Sequence, residues 1–537
     1  MRQWMVAAKK ADFYAIAEKF HVDPVVARII RNREVIGEKN IRIYLGGNLS
    51  DLSDPHQMKD MDRLVEILAQ KIRKQAHIRI IGDYDVDGVT SSHLFLTALR
   101  RVGAKVDVVI PHRIQDGYGL SLHLLQQAKE DGVDTILTCD NGIAAIDEIA
   151  WAKAQKMTVL VTDHHAVPFE EHEGRRTEKK SLADAVVNPH QQDCGYPYKE
   201  LCGAGVAWNV IRVLYENYDM DKREAEDLLD FVAMATVCDV MSLTGENRIL
   251  VKEGLKRIRH TKNIGLQALM QACNVQPENI SAYHFGYVLG PCVNATGRLD
   301  TARHALRLFE TGQETEAEEI ARDLVDLNQE RKELTLQGVE MAKKLCEEGG
   351  YENDPVLVLF LPDVHESIAG LIAGRIREMY NRPVFVLTRG EEGVKGSGRS
   401  TENYSMYENM CGCAELFTKF GGHPMAAGLS LPEENVEKFR RKINENCPLT
   451  VEEVCPDIHI DMAMPVGYAS TELVHQFALL EPFGKDNPSP LFADRNLSIS
   501  RMWLIGKNRN VLRMSVLSEY GQPVPVIFLS LIHISEP

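Results

Sequence analysis

The sequence contains no apolar run approaching the ~18–20 residues that span a bilayer, and it has no low-complexity tract. A helical membrane protein is thereby excluded and a disordered chain disfavoured. The amino terminus, MRQWMVAAKKADF, lacks the apolar core of a signal peptide, so a cytoplasmic protein without membrane attachment is expected. Cysteine is scarce, with eleven in 537 residues. The nearest pair, Cys411 and Cys413, is C-x-C, and no second pair completes a zinc knuckle or implies a disulfide scaffold. Basic charge is also short, with 61 Lys and Arg against 77 Asp and Glu, a formal charge of −16. That balance argues against a generic nucleic-acid binder. It does not veto a polyanion substrate, because acids gathered around divalent cations are offset locally. At 537 residues the chain has room for roughly three or four domains.

Acid is concentrated in one place. Residues 81–92, IGDYDVDGVTSS, put Asp83, Asp85 and Asp87 within five residues, where like charges repel. D-x-D-x-D-G opens an EF-hand loop, and Gly88 stands where that loop needs glycine. Position twelve, however, is Leu94 instead of Glu, and the preceding His77–Ile81 run reads as a strand, not a helix. A solvated acidic turn is the plain alternative, and the rest of the chain weighs against it. From about residue 75, apolar runs, polar turns and helical stretches alternate, which predicts a doubly wound parallel sheet. Ligands of such sheets sit outside the carboxyl ends of the strands. Asp83, Asp85 and Asp87 follow one run, Asp140 ends a second, and Asp163, His164 and His165 follow a third. Asp239 ends FVAMATVCDV, which reads as helix or strand. Singly, each aspartate is as well explained as a helix cap; together they read as one polar site. Carboxylates with imidazole suit Mn²⁺ or Mg²⁺, and their number suggests two ions. Cys139 and Cys238, beside Asp140 and Asp239, are expected on the opposite face by strand alternation. His93 and His112 are read as structural.

The D-x-D-x-D-G segment, the isolated Asp140 and the Asp163-His164-His165 triplet resemble the DHH phosphoesterase superfamily. Within it, GDYDVDGVTS, PHRIQDGYGLS, TCDNGI, TDHH, VNPH…LCGAGVAW and ATVCDVMSL resemble, in that order, its exonucleases specific for single strands. The resemblance implies a mostly helical lead-in over 1–74 and a catalytic DHH domain over 75–300. It implies Asp83, Asp85, Asp87, Asp140, His164 and Asp239 as metal ligands. Asp85, Asp140, His164 and His165 would be catalytic, with Asp140 bridging the metals and His165 near the metals or the scissile phosphate. The implied activity is 5′-to-3′ hydrolysis of single-stranded DNA to 5′-mononucleotides in repair and recombination, by a monomer served by a single-strand-binding protein and a helicase. Short oligonucleotides or cyclic dinucleotides are the alternative substrates. A non-catalytic replication scaffold is the other alternative, and it would require loss of the ligands.

In PCVNATGRLD (291–300), Arg298 reads either as a phosphate contact or as a packing residue. Residues 313–348 predict a linker helix about 50 Å long, within a linker region of 301–350. A second α/β domain, over 351–448, begins as strand–helix–strand, followed by VKGSGRS and FGGHPMAAGLS, whose glycines allow close approach of backbone N–H groups to an anion. GGHPMAAG resembles the DHH-associated domain, which implies substrate contacts from Ser397, Arg399, Gly421, Gly422 and His423. His365 and Arg375 match a further motif of that domain, from which Val364 and Ser367 depart. From 449 to 537 about four short strands suggest a partial OB-like barrel, and LEPFGKDNPSPLF resembles the stretch that enters it. Trp503, Phe492 and Lys507 are candidates for gripping a strand, with core packing as the plain reading of the two aromatics. The closing LSLIHISEP does not resemble the family and is expected to be a truncated or artefactual end.

Overall fold

A computed structural model of the chain describes residues 4–113, 116, 119–172, 175–351, 353–390, 393–453, 457–505 and 511–529. The chain divides into two compact units. One comprises Tyr14–Asn328 with Gln476–Ser489; the other comprises Met1–Phe13, Gln329–His475 and Pro490–Pro537.

In the first unit the β-branched run at 78–81 becomes strand β1 (Ile78–Ile81), buried along its length. Its one charged member, Arg79, is matched by two bonds to Asp107 and one to Asp131 at 2.7–2.9 Å. Helix α1 (Val86–Arg101) follows, and the chain leaves it at Gly103 in a left-handed conformation. Then come β2 (Val106–Val109), α2 (Leu122–Glu130), β3 (Thr135–Cys139), α3 (Ile146–Ala154), β4 (Thr158–Thr162) and β5 (Ala185–Val187). The sheet order is β2-β1-β3-β4-β5, with all neighbours parallel. This doubly wound order has its topological switch between β1 and β3, so a crevice opens at their carboxyl ends.

The helices of this unit include α4 (Gly203–Asn217), α5 (Leu229–Cys238), α6 (Gly245–Ile258) and α7 (Gly290–Leu299). FVAMATVCDV belongs to α5, which is a helix. Its residues 229–236 are all buried, and a helix apolar on every side shows no amphipathic period, hence the ambiguity in sequence. Helix α8 (Glu314–Glu348) has 35 residues, about 50 Å. Ala317, Ala321 and Leu324 lie in the core of the first unit, and Val339, Ala342 and Cys346 in that of the second.

The second unit holds β6 (Leu357–Phe360), α9 (Glu366–Tyr380), β7 (Val384–Gly390), β8 (Gly393–Arg399), β9 (Lys419–His423) and β10 (Ala426–Leu431). Their sheet runs β9-β10-β8-β7-β6, antiparallel except between β7 and β6. VKGSGRS, whose glycines the sequence offers to an anion, is strand β8. Its Gly396 and Gly398 face inward, where a Cβ would lie 2.4 Å from Leu387 and 2.6 Å from Met406. They are glycines for packing. The carboxyl-terminal β region is an antiparallel meander of β11 (Ser498–Ile505), β12 (Val511–Leu517) and β13 (Pro523–Leu529), accompanied by two short parallel pairs. Phe492–Ala493 is a separate short strand just before β11. Among the described residues no helix is long and apolar enough to cross a membrane.

Candidate metal centre

Asp83 leaves β1 directly and is buried. Asp85 caps α1, its side chain accepting from Gly88 N at 3.0 Å, and Asp87 lies in the first turn. The helix amino terminus favours negative charge at both positions. The turn is tight: a Cβ at Gly88 would lie 2.5 Å from the backbone N and O of Asp83. Asp87 is held by a second helix. Gly203 N and Ala204 N at the start of α4 donate to its two oxygens at 2.6 and 2.7 Å, making an anion cradle. A Cβ at Gly203 would stand 2.6 Å from the Cβ of Asp140. This accounts for LCGAGVAW, whose purpose the sequence does not disclose.

Asp140 follows β3 in a left-handed conformation (φ 62°) and is buried. Asp163 follows β4 and acts as an organiser. It accepts from Ile143 N, His164 N, His165 N and His165 Nδ1 at 2.7–3.0 Å. His164 Nε2 then lies 3.1 Å from Asp140 Oδ1, 3.5 Å from Asp239 Oδ2 and 3.7 Å from Asp87 Oδ2. Asp239 arrives as the C-cap of α5. Three sets of donors result, each with ligand atoms within 4.8 Å of one another: Asp140, His164, His165; Asp87, His164, Asp239; and Asp83, Asp85, Asp140. All six residues expected as ligands are in one cluster.

Burial, then the neighbouring Asp85, pushes Asp83 up to about 8. Burial and mutual repulsion raise Asp85, Asp140 and Asp239 as well. Such a set keeps protons or holds cations. Burial lowers the pKa of His164, which favours the neutral imidazole that a metal ligand uses. Burial would lower His165 too, but its hydrogen bond to Asp163 carries it up to about 9. Asp83 Oδ1 and His164 Nε2 are buried and make no hydrogen bond among the described residues. These polar atoms without hydrogen bonds, in an oxygen-rich set with imidazole, fit Mn²⁺ or Mg²⁺. Among the described residues no cysteine joins these sets: Cys139 lies by Ser92 (3.4 Å) and Cys238 donates to Phe285 O (3.3 Å). Strand alternation explains Cys139 alone, because Cys238 is on a helix.

The rim contains residues that sequence reasoning missed. The Arg113 guanidinium lies 4.9 Å above the Tyr84 ring, and its charge reaches Asp83. Asn188, from VNPH, donates to His165 O at 2.9 Å. On α7, Asn294 accepts from Val86 N at 3.2 Å, and a Cβ at Gly297 would meet Tyr84 O at 2.4 Å. The NATGR segment therefore braces the acid loop, and Arg298 brings its charge to Tyr84. PHRIQDGYGLS and VNPH stood out in the sequence, but nothing in their spacing specified these contacts.

Four of the expected substrate residues of the second unit, Ser397, Arg399, Gly421 and His423, share a sheet face. Arg399 and His423 both stand opposite Ala426, while Ser397 and Gly421 both stand opposite Gly428. Directly paired residues, and residues two apart, point the same way from a pleated sheet. A Cβ at Gly421 would meet nothing within 4 Å, and one at Gly428 only Gly396 O at 4.0 Å, so this face has an open floor. Gly428 was not singled out in the sequence. Gly422, one residue on, falls outside that alternation. Gly370 of α9 makes room for Arg399. His365 caps α9 through Ser367 N at 3.3 Å, and Arg375 lies 3.9 Å from Glu378. Trp503 is 40% exposed, with Arg513 5.6 Å from its ring, so the core reading is corrected there. Phe492 is half-buried, and Lys507 lies outside the described residues.

Residues 77–236 match the DHH family, N-terminal domain; residues 353–447 match the DHHA1 domain; residues 460–533 match the RecJ OB domain. The chain is 34% identical over 518 residues to the single-stranded-DNA-specific exonuclease RecJ of Haemophilus influenzae, covering 93% of this chain and 88% of that one. It is 33% identical over 512 residues to the enzyme of that name from Bacillus subtilis, covering 95% of this chain; it spans 63% of that relative's length. The crystal structure of RecJ in complex with Mn²⁺ from Thermus thermophilus superposes with a TM-score of 0.80 at 26% identity, over 98% of this chain and 78% of that one.

Proposed function

The chain belongs to the RecJ family of single-stranded-DNA-specific exonucleases, and from that premise we propose that it hydrolyses single-stranded DNA from the 5′ end to 5′-mononucleotides in DNA repair and recombination. The observation that carries this reading is the convergence of five aspartates and two histidines at the switch point of a parallel sheet. The family relative from Thermus thermophilus holds Mn²⁺, and Asp83, Asp85 and Asp140 would hold one such ion here and Asp87, His164 and Asp239 a second. Asp140 belongs to two of the three donor sets and would be available to either ion. Bound there, two divalent cations polarise a phosphoryl oxygen and lower the pKa of an attacking water.

The chain's own groups do the rest. Asp163 keeps His165 charged and aimed, so that His165 steadies the oxygens of the scissile phosphate. Arg113 and Arg298 offer cations at the rim. Arg399 and His423, with Ser397, Gly421 and Gly422, take phosphates of the incoming strand, with His365 and Arg375 beside α9. Trp503 offers a ring for base stacking.

Asp85→Ala tests the reading. Cleavage of a single-stranded oligonucleotide in Mn²⁺ should fall by at least a thousandfold while the melting temperature of the chelated protein is retained. Retained activity would remove Asp85 from the site. Equal cutting of duplex and single strand by the unaltered protein would remove the strand specificity.

A further inference from the structure

Residues 476–489, QFALLEPFGKDNPS, precede the β-rich end of the chain yet pack within the unit that holds the acid cluster. Their attachment is specific. Arg248 is buried at 1% exposure, and its guanidinium donates to Tyr44 O at 2.7 Å and to Leu480 O and Leu479 O at 2.9 Å each. The same group lies 3.9 Å above the Tyr44 ring. Asn487, fully buried, donates to Leu480 O and Pro482 O at 2.8 and 2.7 Å and accepts from the Tyr44 hydroxyl at 2.7 Å. Buried polar groups satisfied this completely fix a segment in one arrangement.

The anchored segment presents its turn to the loop that follows Asp239. Leu243 N donates to Lys485 O at 2.9 Å, and a Cβ at Gly484 would stand 2.6 Å from Leu243 Cδ1. Leu243 is four residues beyond Asp239, whose side chain is 26% exposed at the mouth of the cluster. Lys485 is exposed and forms no ion pair among the described residues, yet its charge reaches Asp239. A cluster of acids repels a polyanion, and a cation held at the mouth offsets that repulsion where the strand must enter.

We propose that Lys485 is a substrate-positioning residue, held against the Asp239 loop by segment 476–489 so that its ammonium takes a backbone phosphate of the single strand. This rests on the nuclease reading above. It assigns to a segment more than 230 residues away in sequence a direct part in the same site.

The test uses the full chain, with Lys485→Ala and Lys485→Arg, on a single-stranded oligonucleotide in Mn²⁺ across a salt series. For Lys485→Ala the effect should fall on KM, rising five- to tenfold. The slope of log(kcat/KM) against log salt should become shallower by about 0.7, the value of one phosphate contact to a single strand. Lys485→Arg should restore both. Melting temperature should not move, because the side chain is exposed, and a merely structural role would not change the salt slope. Wild-type KM and slope in Lys485→Ala would overturn the proposal. Fluorescence anisotropy of the labelled strand in Ca²⁺ measures the same slope without turnover. A wild-type protein that binds but never cuts would therefore sink the nuclease reading and still decide the role of Lys485.

Discussion

Asp83 is buried beside Asp85 and protonates near 8 without metal, whereas in an unfolded chain it ionises near ~3.9. The folded form thus holds a proton that the unfolded form has lost, so the chelated protein loses stability as pH rises from about 4 through 8. Mn²⁺ reverses the sign, because the ionised cluster is what binds it. Asp83→Asn should therefore raise the denaturation midpoint of chelated protein at pH 8 and abolish the rise in melting temperature that Mn²⁺ gives the wild type. A variant that kept the Mn²⁺ shift would remove Asp83 from the ligand set. His93 behaves oppositely. Burial against Phe231, 4.4 Å away, drives it down to about 3. The unfolded chain takes up a proton near ~6.5 that the folded chain refuses, so stability falls as pH drops below that, by up to about 1.4 kcal/mol per pH unit. In urea titrations, His93→Leu should gain on the wild type between pH 6.5 and 5; a constant difference would contradict a neutral buried His93. At this scale the acid ligands were legible, because an acid after an apolar strand is a local pattern. Arg113, Asn188 and the amides of Gly203 and Ala204 were not, because each acts across a tertiary contact.

At the scale of elements, the site depends on two helix starts meeting one sheet edge. Gly88 and Gly203 allow it: one lets α1 begin against Asp83, and the other lets α4 begin against Asp140. Gly203→Ala puts a methyl group into a filled space with backbone on one side, an overpacking that costs about 1–3 kcal/mol. Because the clash displaces Asp140 and the cradle of Asp87, Mn²⁺ affinity should fall at least tenfold in calorimetric titration. Unchanged affinity would show that α4 does not set the ligand geometry. Strands β1, β3 and β4 were readable because short Val- and Ile-rich runs end in acids. Helix α5 was not, since burial on all sides erases its period, and the inward glycines of β8, offered in sequence to an anion, answer instead to Leu387, Phe385 and Met406.

For the whole molecule, the order of segments was legible and their regrouping was not. The sequence places LEPFGKDNPSPLF at the entry of the carboxyl-terminal β region, whereas residues 476–489 belong to the unit with the acid cluster, tied there by Arg248 and Tyr44. No local pattern announces a pairing between residues 44, 248 and 487. Likewise, Arg399 and His423 come into one row only through the register of β8, β10 and β9. The central claim is that the acid cluster hydrolyses single strands from the 5′ end. The most direct measurement follows one single-stranded oligonucleotide, labelled at its 5′ end or at its 3′ end, in Mn²⁺ with the full chain. Immediate release of labelled mononucleotide from the 5′-labelled strand, with a progressively shortening ladder from the 3′-labelled one, is the expected result. Mononucleotide released first from the 3′-labelled strand, or no cleavage of either, would contradict it.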